Sequence, residues 1–153
     1  MGEKEAFVRQ FREIQPKFSR FYARLLTEAG LSLPQFALLS QLLARGAVSM
    51  TEVGAKLHIS KPAVTNLADR LEDKKYLKRT PHPGDRRVFL LQILPRGKGL
   101  VRKAQGEVLS FVLKTLHAFN EKEQETITRF YARLSEKLEA ALAFLATTGS
   151  ASP

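Results

Sequence analysis

The sequence contains no cysteine, no tryptophan and no long apolar run. Without cysteine the chain cannot form a disulfide, a thiolate metal site or a cysteine-based redox sensor. No apolar stretch approaches the roughly 20 residues of a membrane-spanning helix, and the start, MGEKEAF, is charged where a secretion signal would be apolar. We therefore expect a cytoplasmic protein that does not associate with membranes.

Acidic residues are also scarce, since 15 of them face 25 lysines and arginines and leave a net charge of +10. The imbalance is concentrated in residues 56–103, which hold thirteen basic and four acidic residues, whereas the rest of the chain holds twelve and eleven. Concentrated positive charge is typical of proteins that bind a polyanion, most often nucleic acid. The alternative is a basic surface that serves only solubility.

Patterns that indicate catalysis or metal binding are missing as well. The three histidines, His58, His82 and His117, are scattered along the chain without acid partners at catalytic spacing, and there is no glycine-rich phosphate loop. We therefore expect a protein that is not an enzyme, holds no metal and needs no cofactor.

Apolar residues recur at steps of three and four in the first third of the chain, as they do along one face of a helix. The first stripe runs from Phe7 to Leu25 and predicts a long helix, which Pro16 is expected to kink or restart. The segment LSLPQFALLSQLLARG predicts a second helix that ends at Gly46.

After Pro95 two further stripes, Leu100 to Phe119 and Ile127 to Leu145, predict two long helices. A core of about fifty residues cannot cover all of these apolar faces, so we expect them to form an interface. Residues 147–153, TTGSASP, are too small and polar to pack, and we predict a disordered tail there.

The middle of the chain predicts two short helices joined by a tight turn. Ser49 and Glu52 can form a capping box at the start of the first helix. Ser60 can cap the second helix, with Pro62 in its first turn. Only Leu57-His58-Ile59 is left for the turn between them.

A change of pattern after Leu77 predicts a β-hairpin. The short extended runs LKRT and VFLLQI flank the segment PHPGD, which places Gly84 and Asp85 at the tip. Two short helices with a tight turn, followed by a basic hairpin, make up a winged helix-turn-helix. The predicted fold class is therefore mainly α with a small β-hairpin wing, flanked by long N- and C-terminal helices.

The second short helix carries the small and polar side chains that let a helix approach base edges in the major groove of DNA. The candidate DNA-binding residues are Ser60, Lys61, Pro62, Ala63, Thr65, Asn66 and Arg70. Asn66 suits adenine and Thr65 a thymine methyl group. Lys61 and Arg70 suit phosphate. The alternatives are that Asn66 is only solvated and that Arg70 pairs with Asp69 or Asp73.

The segments ISKPAVTNLADRLEDKKYLKR and DRRVFLLQILPRG resemble the MarR family of bacterial transcription regulators, and the resemblance extends over roughly residues 5–146. The second segment is similar to the family's Asp-x-Arg wing motif and the strand that follows it. Two positions depart from the family pattern, since His58 stands where Gly is frequent and Leu94 where a capping Thr is frequent. Histidine tolerates positive φ better than most residues, and we expect Pro95 to start the helix after the wing.

The resemblance implies a single winged-helix domain over residues 1–146. Its DNA-binding core spans about residues 34–94, and dimerisation helices occupy about residues 5–29 and 95–146. The second short helix of each protomer, the recognition helix, would then enter one of two successive major grooves of a palindromic operator. The alternative is a single chain folded into a closed helical bundle.

By the same resemblance the tip of the wing enters the minor groove. Arg87 matches the arginine of the Asp-x-Arg motif, and Arg86 is the DNA-binding candidate beside it. A narrow minor groove concentrates negative potential and attracts a guanidinium group. Asp85 can pair with Arg87 and orient it outward, and the alternative is a turn aspartate that caps its own hairpin.

Similar regulators often bind a small lipophilic or aromatic anion that changes the separation of the two recognition helices. The candidate pocket residues are Phe18, Phe21, Tyr22, Phe36 and Leu39, with Arg20 or Arg24 as the counter-ion. The alternative is that this aromatic stripe is plain core.

The resemblance implies a homodimeric, sequence-specific regulator of transcription that binds double-stranded DNA as a ligand-responsive repressor. The alternative is an architectural or nonspecific nucleic-acid-binding protein, for which the basic middle of the chain would suffice.

Overall fold

The computed structural model describes residues 2–148, with side chains through Leu145. The helices in this range are α1 (Glu3–Thr27), α2 (Leu33–Arg45), α3 (Met50–Leu57), α4 (Lys61–Asp73), α5 (Pro95–Leu116) and α6 (Glu121–Thr148). The strands are β1 (Val48–Ser49), β2 (Leu77–Pro81) and β3 (Phe89–Ile93). The predicted fold class, mainly α with a small β-hairpin wing, is confirmed.

The chain divides into two compact units, and the division falls within α5. The first unit extends to Val108 and contains α1 to α4, the strands and most of α5. The second begins at Leu109 and contains the end of α5 and all of α6.

Helix α1 continues through Pro16, so the predicted restart does not occur. The ring removes the amide that would have bonded to the carbonyl oxygen of Arg12, and Arg12 lies on the exposed surface. Water can therefore satisfy that oxygen, and the helix loses only one internal hydrogen bond.

The end of α6 differs from the sequence-based expectation. The helix runs through Thr148, two residues into the predicted tail. Residues 149–153, which make up the rest of that predicted tail, lie outside the described residues.

Reciprocal side-chain hydrogen bonds start two of the predicted helices. At α3 the amide of Ser49 donates to Glu52 Oε2 at 2.9 Å, and the amide of Glu52 donates to Ser49 Oγ at 3.2 Å. The side-chain and backbone hydrogen bonds from Ser49 lower the pKa of Glu52. Asn120 and Glu123 make the same pair of bonds at α6, at 2.8 and 3.0 Å. These capping boxes fix both helix starts, and the box at α3 is the one that the sequence predicts.

The hairpin belongs to a three-stranded antiparallel sheet in the order β1-β3-β2. Val48 and Arg79 pair with Leu91 from opposite sides. The sequence did not predict β1, because two residues are too short to show an alternating pattern.

The core of the first unit lies between the sheet and helices α2, α4 and α5. Its fully buried side chains include Leu38, Leu39, Leu42, Val64, Ala68, Leu71, Leu77, Leu91 and Val101. These residues hold the helix-turn-helix against the hairpin.

Candidate nucleic-acid interface

Helices α3 and α4 form a helix-turn-helix with a turn at residues 58–60. His58 is left-handed, with φ 53° and ψ 43°, as its turn position requires. The amide of Ile59 donates to the carbonyl oxygen of Gly54 at 3.0 Å. A Cβ on Gly54 would lie only 3.1 Å from the carbonyl oxygen of Ile59, so the small residue permits this tight turn.

The buried residues of α4 determine which of its side chains face outward. Ser60 Oγ accepts a hydrogen bond from the amide of Ala63 at 3.4 Å and caps the helix. Val64, Ala68 and Leu71 pack into the core. Of the predicted contact residues, Ala63 is half-buried, and the exposed ones are Ser60, Lys61, Pro62, Thr65, Asn66 and Arg70. Their contact with DNA stays a prediction.

Arg70 is not held by the acids beside it. Among residues 2–145 it forms no ion pair, and Asp69 instead pairs with Arg79 at 2.6 Å. The expected alternative, in which Arg70 pairs with Asp69 or Asp73, is therefore not found. The guanidinium of Arg70 is exposed on the same face as Asn66.

We call residues 82–88, which join β2 to β3, the wing loop, and all of them are exposed. The amide of His82 donates to the carbonyl oxygen of Val88 at 2.8 Å and closes the base of the loop. The amide of Val88 donates to the carbonyl oxygen of Asp85 at 3.0 Å, which forms a turn with Arg86 and Arg87 at its centre. Because Pro81 pairs with Phe89, the wing loop is centred on Asp85, and Gly84 and Asp85 lie at its tip as the sequence predicts.

The carboxylate of Asp85 contacts the backbone of the wing loop. Its Oδ1 accepts a hydrogen bond from the amide of Arg87 at 3.0 Å, as in an Asx turn. In the described part of the chain it forms no ion pair with the Arg87 guanidinium. The expected side-chain pairing is thus replaced by the alternative, a turn aspartate, because the amide two residues on lies within closer reach than a long flexible side chain.

From the sequence, Arg79 is only one of the basic residues of the middle segment, and its structural role is not predicted. Its guanidinium binds Asp69 at 2.6 Å and Glu72 at 2.5 Å, both on α4. Partial burial lowers its pKa, but the hydrogen bonds to the two carboxylates outweigh burial and raise the pKa above its usual range. A signal was available, since Asp69 and Glu72 are three apart and share one face of a helix. Their partner on β2 follows only from the tertiary structure.

The predicted ligand-pocket residues lie on α1 and α2. Leu39 is fully buried and Phe36 is buried, and the ring of Tyr22 packs on that of Phe36 with centroids 5.8 Å apart. Phe18 and Phe21 are half-buried, and Arg20 and Arg24 are exposed. Tyr22, Phe36 and Leu39 therefore contribute to the core, as the alternative interpretation expects, and the pocket stays a prediction.

The described residues contain neither a metal-binding cluster nor a membrane-spanning helix. In residues 2–148, no cluster of three or more His, Asp or Glu side chains is placed to hold a metal ion. None of the described helices is both long and apolar enough to span a bilayer.

The chain is similar to known proteins in its sequence. A family model described as MarR family matches residues 29–88, from just before α2 to the end of the wing loop. The chain is also 30% identical over 105 residues to the HTH-type transcriptional regulator MhqR of Bacillus subtilis (strain 168), an alignment that covers 69% of this chain and 72% of MhqR. The chain belongs to the MarR family.

The chain is also similar to a second curated regulator and to a solved structure. The HTH-type transcriptional repressor MdtR of Bacillus subtilis (strain 168) is 26% identical over 129 residues, which cover 84% of this chain and 81% of MdtR. The solved structure of FabT from Streptococcus pneumoniae, in complex with DNA, matches with a TM-score of 0.74 at 20% identity and covers 88% of this chain and 99% of FabT. At that identity the match to FabT shows a shared fold.

Proposed function

We propose that this MarR-family protein is a sequence-specific, double-stranded DNA-binding transcription regulator that acts as a homodimer on a palindromic operator. The observation that carries the proposal is the exposed face of α4, with Lys61, Thr65, Asn66 and Arg70, in the same compact unit as the wing loop. A helix of this kind enters the major groove, and basic side chains on a wing reach the adjacent minor groove.

The proposed domain organisation is a single winged-helix domain over residues 1–146. In it, about residues 34–94 bind DNA, and about residues 5–29 and 95–146 form the dimer. The first range includes nearly all of α2 and continues through β3, and the other two include most of α1, all of α5 and most of α6.

Exposed apolar side chains on the flanking helices support the homodimer. They include Val8, Phe11 and Ile14 on α1, Leu109, Val112 and Leu113 on α5, and Tyr131, Leu138 and Leu142 on α6. Apolar faces of this extent are typical of interfaces. A second copy that covers them would supply the two-fold symmetry of a palindromic operator.

We also propose that the protein acts as a repressor that a small lipophilic or aromatic anion releases from DNA. The similarity to MdtR, which is named as a transcriptional repressor, supports the first part. Exposed Arg20 and Arg24 beside half-buried Phe18 and Phe21 support the second, because they combine positive charge with aromatic surface. As a probe, benzoate should weaken operator binding, and an Arg20→Ala/Arg24→Ala double variant should lose that response. If benzoate weakens operator binding equally in this double variant, Arg20 and Arg24 are not the counter-ions.

Competition binding distinguishes the proposed regulator from the alternative, an architectural or nonspecific nucleic-acid-binding protein. A fluorescent duplex carrying the operator, found by selection from random DNA, is competed with unlabelled operator and with a scrambled duplex of equal length. A specific regulator binds its site about 10³-fold or more tightly than random DNA. Equal competition by both duplexes would instead support the nonspecific binder. Enzymatic activity forms no part of the proposed function, in keeping with relatives that are named as transcriptional regulators.

A further inference from the structure

Arg79 connects the first strand of the hairpin to three positions of the recognition helix α4. Its guanidinium donates from Nη1 to Glu72 Oε2 at 2.5 Å, and from Nη2 to Asp69 Oδ1 at 2.6 Å and the carbonyl oxygen of Thr65 at 3.4 Å. Its backbone amide donates to Glu72 Oε1 at 3.0 Å. Steps of four and three place the acceptor positions on one side of α4, over two turns.

The position of Arg79 explains why its side chain faces the helix. Arg79 pairs with Leu91 in the sheet, so it lies on the same face as the core residues Leu77 and Leu91. Its side chain is 21% exposed, and the two carboxylates and the carbonyl oxygen engage both terminal nitrogens. Lys78, the preceding residue, points to the other face and is exposed.

The same contacts change the charge that DNA would meet. The Asp69 carboxylate is 56% exposed and lies three residues from Asn66, on the helix that is proposed to enter the major groove. An unpaired carboxylate there would repel phosphate groups, and Arg79, which is shared with Glu72, offsets part of that negative charge. Because the guanidinium is held between two acids, Arg79 is unavailable as a phosphate contact.

We propose that Arg79 is a positioning residue for sequence readout, which fixes the orientation of α4 relative to the hairpin through Asp69 and Glu72. This inference rests on the proposed function. We call the contacts of Arg79 with Asp69 and Glu72 the clamp. Bidentate and charge-assisted hydrogen bonds hold geometry more rigidly than single neutral bonds. The clamp therefore sets how deeply Asn66 enters the major groove when the wing loop contacts the DNA. Arg79 thereby affects specificity without a contact to a base.

Two substitutions of opposite charge test the proposal. Arg79→Gln breaks the clamp and removes one positive charge, whereas Asp69→Asn/Glu72→Gln breaks it and removes two negative charges. Affinities for the operator and for a scrambled duplex are measured by anisotropy across a salt series. Both variants should lower the ratio of the two affinities about tenfold, the scale of one misread base contact. Their affinities for the scrambled duplex should move in opposite directions, down for Arg79→Gln and up for the double variant.

Lys78→Gln is the matched control, since it removes one positive charge from the adjacent position and should leave the ratio unchanged. Arg79→Lys keeps the charge but cannot bridge both acids, so it should restore affinity for the scrambled duplex and not the ratio. Thermal unfolding checks that every variant is folded under the binding conditions. Asn66→Ala should cost less in the Arg79→Gln background than alone, because a misplaced helix has already lost that contact.

The outcomes separate this inference from the function it rests on. If the unmodified protein shows no preference for any selected duplex, the proposed function and the positioning role both fail. If the unmodified protein is selective and the folded clamp variants keep its ratio, only the positioning role of Arg79 is overturned. An unchanged cost of Asn66→Ala in the Arg79→Gln background would overturn it as well.

Discussion

At the residue scale, the wing loop and α4 present different chemistry to DNA. Arg86 and Arg87 sit at the centre of an exposed turn, where a guanidinium can follow a narrow minor groove. Asn66 is exposed on a helix that shows its polar face, where an amide can pair with adenine. We therefore expect the arginines to contribute mainly electrostatic affinity and Asn66 to contribute discrimination.

Salt dependence distinguishes the two contributions. Arg87→Ala should weaken binding and lower the magnitude of the salt slope by about two, one for each half of the dimer. The loss should be largest on operators with A·T-rich flanks. Asn66→Ala should leave the slope unchanged and cost about 1–3 kcal/mol, only on operators that carry the preferred base. Anisotropy across a salt series measures both, and an unchanged slope for Arg87→Ala would exclude it as a phosphate or minor-groove contact.

Asp85 gives a second test, because its contact is with the backbone amide of Arg87. Asn keeps an oxygen that can accept this bond, so Asp85→Asn should preserve the turn and bind DNA slightly more tightly through the lost negative charge. Asp85→Ala loses the same charge and also the hydrogen-bond acceptor, so this variant should discriminate less between operators with different flanks. Anisotropy on operators with varied flanks compares the pair. Equal selectivity of the two variants would show that the Asx turn does not order the wing loop.

At the scale of elements, the start of α5 is built around a close approach to the hairpin. A Cβ on Gly97 would overlap the carbonyl oxygen of Tyr76, which precedes β2, and would lie 3.0 Å from Ile93 Cγ1 of β3. Gly99, in the same helix, has open space around it. Helix α5 therefore needs a glycine at position 97 for packing, whereas position 99 has room for a side chain.

This difference predicts opposite effects for one substitution at two positions. Gly97→Ala should destabilise the protein by about 1–3 kcal/mol through overpacking. Gly99→Ala should stabilise it by about 0.5–1 kcal/mol, because alanine favours the helix. Urea unfolding measures both free energies, and the packing account would be wrong if Gly97→Ala were neutral.

Helix starts and the turn of the helix-turn-helix were predictable because their causes are local in sequence. Ser49 with Glu52 and Ser60 with Pro62 are signals within four residues, and the structure places helix starts at both. Strand β1 was not predictable, since it exists only where Val48 and Ser49 pair with β3.

The candidate site was predictable to the same extent. The polar face of α4 follows from its pattern of apolar residues, whereas the clamp of Arg79 needs β2 and α4 to be adjacent in space. For Asp85 the sequence allowed two partners, an amide and a guanidinium. Only the backbone path of the wing loop decides between them.

At the scale of the whole molecule, dimerisation is the property on which the palindromic operator depends. Leu138 is exposed and Leu134 is half-buried on one side of α6. We predict a dimer at micromolar concentration, and Leu134→Glu/Leu138→Glu should dissociate it, because each charge buried in the interface costs several kcal/mol. Ala140→Glu, on the opposite side of the helix from Leu138, should leave the dimer intact. Sedimentation equilibrium tests this, and a monomeric unmodified protein would contradict the homodimer.

The most direct test of the central claim is a hydroxyl-radical footprint of the unmodified protein on its selected operator. Two recognition helices and two wings on a two-fold axis predict protected patches that are symmetric about one centre, with the half-sites about 10 base pairs or a multiple of it apart. Arg87→Ala should remove the protection at the outer minor grooves and keep the central pattern. A single asymmetric patch, or uniform protection along the duplex, would contradict a dimeric winged-helix regulator that reads a palindrome.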